Sequence, residues 1–98
     1  ALLEAAVRPY SDTFLTADAE RSYDILSDRC QARVSKDQWE LLMASVEQQY
    51  GTALPIRTYE AEISGDLARV TYTYDVAAIS QDREPWVWER QGWRQDDC

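Results

Sequence analysis

The sequence predicts an α+β fold, three helices followed by an antiparallel sheet of about four strands, and three observations carry that reading. Apolar residues recur at helical spacing up to Gly51, the period changes to two beyond it, and an S-x-x-Q capping box, Ser35 with Gln38, marks one helix start. Ninety-eight residues suit a single domain, 1–98, around one shared core. A hydrophobic fraction of 45% with 11% aromatic lies far from the compositions that stay disordered.

In the first segment Leu3, Val7, Tyr10 and Phe14 fall on one helical stripe, with Arg8, Ser11 and Asp12 turned away. Pro9 removes one backbone hydrogen bond there, which predicts a kink. Asp18 caps a second, short helix carrying Tyr23 and Leu26, and Ser27–Asp28 reads as a break before Cys30. The capping box opens the third helix, whose stripe is Trp39, Leu42, Met43, Val46 and Tyr50 and whose stop is Gly51.

Past Gly51, Tyr59, Ala61 and Ile63 alternate with Thr58, Glu60 and Glu62 up to a Ser64-Gly65-Asp66 turn. The return strand sets Ala68, Val70, Tyr72, Tyr74, Val76 and Ala78 against Arg69, Thr71, Thr73 and Asp75, and its length suits a central position. Ser80 to Glu84 reads as a polar loop, Pro85 to Arg90 as a third strand, and Gln91-Gly92 as a turn into a fourth from Trp93 to Cys98. The expected sheet is a meander.

Eighteen acidic against ten basic residues give a net charge of -8, which opposes binding to nucleic acid and to anionic membranes and is read as a solvated, solubilising surface. No stretch approaches the roughly 20 apolar residues of a membrane span. The chain opens with a helical pattern rather than a charged-then-apolar signal, and leaves open an upstream signal peptide or lipid anchor.

There is no histidine and no C-x-x-C, so structural zinc and thioredoxin-like chemistry lack their ligands. What remains is a structural pair, Cys30 with Cys98. A bridge between them closes a long loop worth about 4 kcal/mol in the chain-entropy account and points to an oxidising compartment; the alternative is two buried free thiols.

Proton transfer without histidine needs a carboxylate in a dry pocket, and the candidates are Asp12, Glu60 and Asp75, with Tyr10, Tyr72 and Tyr74 as donors. Strand parity sets Asp75 opposite Tyr72 and Tyr74, so no catalytic residue is assigned. Gly65 and Gly92 lack phosphate-loop spacing, Glu89, Asp96 and Asp97 lack calcium-loop spacing, and neither metal nor cofactor is expected. Trp39, Trp86, Trp88 and Trp93 either fill the core or line a cavity. If Val87 faces the helices, Trp86 and Trp88 are exposed together and mark a homodimer interface through the sheet; the alternative is a monomer with both rings under the helices.

The opening Val7-Arg8-Pro9-Tyr10, the stretch Leu26-Ser27-Asp28-Arg29-Cys30 and the closing Gly92-Trp93-Arg94-Gln95-Asp96-Asp97-Cys98 resemble small extracytoplasmic NTF2-like domains of actinobacterial lipoproteins and secreted antigens. The resemblance implies an NTF2-like (cystatin-like) cone in which a curved sheet wraps the helices, and a tie between Cys30 and Cys98. It places Tyr10, Phe14, Trp39, Tyr72 and Tyr74 around a ligand pocket. The function it implies is a non-catalytic extracytoplasmic accessory or binding domain. The alternatives are a binder of a small apolar ligand in the cone mouth and a cofactor-independent isomerase or cyclase-like enzyme using Asp and Tyr.

Overall fold

A computed structural model describes residues 2–98, and its architecture is α+β: four helices, then a four-stranded antiparallel sheet in the order β1-β2-β3-β4. Helix α1, Leu2–Leu15, buries Leu3, Val7, Tyr10 and Leu15 and runs unbroken through Pro9. Pro9 and Ala5, whose carbonyl the proline cannot serve, are both exposed, so the lost bond falls where water can replace it and the expected interruption does not end the helix.

Asp18 caps α2, Ala19–Ile25, by accepting from the Arg21 N–H at 3.2 Å. The next segment corrects the expectation of three helices. Ser27 is a break and also an N-cap: its hydroxyl accepts from the Cys30 N–H at 3.1 Å and starts a short α3, Asp28–Arg33. Helix α4, Lys36–Gln49, begins at the Ser35–Gln38 capping box, with both reciprocal bonds formed at 2.8 and 3.1 Å. It buries Trp39, Met43 and Val46, whereas Leu42 lies at the margin of the stripe and remains 45% exposed.

Strands β1, Thr58–Ser64, and β2, Leu67–Thr73, pair as expected, with Tyr59 opposite Tyr72 and Ala61 opposite Val70. β2 is shorter than its alternation suggested: it ends before Tyr74, and a 3₁₀ turn, Ala77–Ile79, leaves Val76 and Ala78 exposed. β3, Gln81–Glu89, is longer, because the supposed loop from Ser80 to Glu84 enters the sheet.

A bulge makes that entry possible. Val70 lies opposite Glu84 and Tyr72 opposite Gln81, so β3 carries one residue more than its partner. Arg83 takes a positive φ of 54°, and its N–H goes to the Thr71 hydroxyl at 3.1 Å instead of to backbone. The irregularity also sits beside Pro85, which has no N–H to give an interior strand. The last turn is formed by Arg90 and Gln91, both at positive φ, one residue earlier than predicted, and leads into β4, Gly92–Gln95. Cys30 and Cys98 are joined, with Cα atoms 5.6 Å apart.

Candidate functional site

The helix-facing side of β2 presents Ala68, Val70 and Tyr72, all buried, and Tyr74 continues that side just past the strand. Period-two alternation on β3 brings Glu84 and Trp86 to the same side, at 5% and 1% exposure. The bulge shifts the parity upstream, so that Gln81 rather than Asp82 accompanies them. Over this surface lies α1 with Tyr10, Ser11, Phe14 and Leu15. Between the two is a cavity of about 200 Å³ lined by these four residues and by Tyr72, Tyr74, Ala78, Ile79, Gln81 and Glu84. Its rim includes Ala78, which is exposed.

Glu84 is the organising group. Its Oε1 accepts from the Tyr72 hydroxyl at 2.6 Å and the Trp86 indole N–H at 2.8 Å, and its Oε2 accepts from the Gln95 amide at 3.4 Å, so the carboxylate ties β2, β3 and β4 together. Burial raises its pKa; the three hydrogen bonds pull it down, and the charge of Asp97 pushes it up again. Burial and the nearby Glu84 raise Tyr10 and Tyr72 as well, and burial raises Tyr74 against the lowering bond from Ser11, so all three stay protonated phenols. Tyr74 and Ser11 share a short hydroxyl–hydroxyl bond, while the Tyr10 hydroxyl has no hydrogen-bond partner among the described residues.

No lysine or arginine lines this cavity. The nearby arginines are paired elsewhere: Arg8 with Glu4 at 2.8 Å, Arg57 with Asp75 at 2.8 Å, Arg83 with Glu62 at 3.0 Å. A wider hollow of about 480 Å³ at the β1–β2 turn is open surface, since Ile63, Leu67, Arg69 and Arg83 on its wall are all exposed.

Of the five aromatic residues expected around a pocket, Tyr10, Phe14, Tyr72 and Tyr74 line this cavity. Trp39 does not. It packs behind Phe14, ring centres 6.0 Å apart, and its indole N–H donates to the buried Ser22 hydroxyl at 2.8 Å. The acidic candidates Asp12, Glu60 and Asp75 are all exposed, and Arg57 holds the Asp75 carboxyl below its usual range through a hydrogen bond and its charge. Trp86 and Trp88 correct the interface expectation: Trp86 meets Tyr10 edge-on at 5.7 Å inside the core, and half-buried Trp88 meets Trp93, so the outward pair of tryptophans does not form.

Glu84 escaped the sequence reading because it was placed in a loop. The signal was present all the same, since Glu84 lies two residues before Trp86 and must share its face wherever the strand extends that far. Among the described residues no helix is long and apolar enough to cross a membrane. Compared with models of known protein families and with curated proteins, the chain matches none.

Proposed function

We propose that this chain is an extracytoplasmic, NTF2-like binding domain that holds one small molecule in the cavity between α1 and the sheet and does no chemistry on it. The observation that carries the reading is the cavity, four aromatic residues around a few polar tips, the usual composition of a small-molecule site. At about 200 Å³ it has the space of roughly seven waters, which limits the ligand to a small one. The Cys30–Cys98 bridge supports an oxidising compartment, and helices packed against one face of a four-stranded antiparallel sheet support the cone.

The non-catalytic part of the reading rests on Glu84. A general base must be aimed at the substrate, and the carboxylate here is held against the sheet by the three hydrogen bonds it accepts from Tyr72, Trp86 and Gln95. Its first task is to join three strands.

The test uses 3,3-dimethylbutan-1-ol, a compact uncharged probe, at millimolar concentration. Calorimetry is expected to show a raised melting temperature for the wild type and none for Ala78→Trp, which fills the mouth from an exposed position. Equal shifts in both proteins, or none in the wild type with this probe or its cationic isostere choline, would overturn the assignment.

A further inference from the structure

The proposed pocket has a charge of its own. Glu84 is 5% exposed, and among the described residues no basic group forms an ion pair with it. An ionised carboxylate that deep is normally paired. The three donors around it are neutral, so they satisfy its hydrogen bonding and leave its charge uncompensated.

The rest of the wall narrows the ligand class. Without a lysine or arginine, nothing in the cavity offsets an anion, and Glu84 repels one. A hydrated metal ion needs several oxygen ligands, whereas here Glu84 is the one carboxylate on a wall that is mostly aromatic or aliphatic. Phe14, Tyr10, Tyr72 and Tyr74 offer ring surfaces, which attract a soft organic cation through their negative faces. An alkylated ammonium asks for no hydrogen bond, so it can sit against rings while its charge faces a carboxylate whose three hydrogen bonds go to the sheet.

We propose that the cavity between α1 and β2–β3 selects a small alkylated ammonium ion, with Glu84 as its counterion and Tyr10, Phe14 and Tyr74 as its aromatic wall. This rests on the reading of the cavity as a binding site. The Tyr10 hydroxyl, which has no hydrogen-bond partner among the described residues, belongs to a side chain that lines the cavity and is available to a polar tail on such a ligand. The net charge of -8 adds a long-range pull on any cation.

The probes are choline and its uncharged isostere 3,3-dimethylbutan-1-ol, titrated calorimetrically into the intact, disulfide-bonded chain. Choline is expected to bind at least tenfold tighter than the alcohol, and Glu84→Gln to remove that preference. Because Glu84 also joins three strands, the wild type supplies a second measurement: choline affinity should fall as pH is lowered through the titration of Glu84. Tyr10, Tyr72 and Tyr74 stay neutral in that range, and the other carboxylates whose charge reaches the site are Asp97, which acts on Glu84 and Tyr10, and Asp12, which acts on Tyr74. An alcohol that binds as tightly as choline, or choline affinity indifferent to both Glu84 and pH, overturns the cation while leaving the pocket. Binding of neither probe removes both.

Discussion

The two edges of the sheet are built alike and held differently. At the β4 edge the Ser27 N–H donates to the Gln95 carbonyl at 2.8 Å, and Arg94 reaches the Asp24 carbonyl at 2.8 Å. The Ser27 hydroxyl donates to Asp96 at 2.6 Å, Arg29 pairs with the same carboxylate, and the disulfide closes the end. At the β1 edge the side-chain ties are exposed ion pairs, Arg83 with Glu62 at 3.0 Å and Arg57 with Asp75 at 2.8 Å, and among the described residues no hydrogen bond joins β1 to a helix. Along its backbone ladder β1 pairs with β2, and Ala61 and Ile63, on the side that faces the helices elsewhere, are exposed, Ile63 by 58%. The lesson is that alternation along a strand tells which residues share a face and says nothing of whether a helix covers that face.

The largest expected effect is at the latched edge. Replacing both cysteines, Cys30→Ser with Cys98→Ser, should cost about 4 kcal/mol and lower the melting temperature by well over ten degrees, since the bridge spans a sequence separation of 68. Native, unreduced protein should show no alkylatable thiol by mass spectrometry. A melting temperature unchanged by the double substitution would mean that the hydrogen bonds from Ser27 and Arg94 hold β4 alone.

Much of this architecture is legible in residue types. The capping box at Ser35, the glycine stop at Gly51, the turn at Gly65 and the face carrying Val70, Tyr72 and Tyr74 all stand where their chemistry puts them. What escapes is backbone conformation that the residue types disfavour. Arg83, Arg90 and Gln91 adopt positive φ without being glycine, asparagine or aspartate, so neither the bulge that draws Glu84 into the core nor the true position of the last turn has a signature. The Ser27 cap was hidden differently, because a serine suited to end one helix is equally suited to begin the next.

Between the two edges lies Glu84, bonded to strands on both sides, and its effect should be intermediate. Its folded pKa is raised by burial, so the fold favours the protonated acid: that contribution is fully present below the ordinary carboxylate pKa and is lost as pH rises through the raised value. Glu84→Gln keeps an oxygen for Tyr72 and Trp86 and cannot ionise. It should therefore stay within about 1 kcal/mol of the wild type and show a flatter stability profile between the ordinary carboxylate range and neutral pH. Parallel profiles for the two proteins would show that Glu84 titrates alike folded and unfolded.

The smallest effect should be at the open edge. Ile63 is a large apolar residue on the helix-facing side of a strand, and from the sequence alone its replacement by a polar residue looks like damage to a core. With 58% of its surface exposed and only Ala68 opposite it, Ile63→Thr gives up little buried area and keeps the β-branched shape the strand favours. The expected change is below about 0.5 kcal/mol in denaturant unfolding, the range of ordinary surface substitutions. Ala68→Thr, across the same pair but at 4% exposure, adds a hydroxyl to a packed position and should cost several times more. If the two substitutions prove equally costly, the β1 edge is covered in solution, and the contrast between the edges belongs to the isolated chain alone.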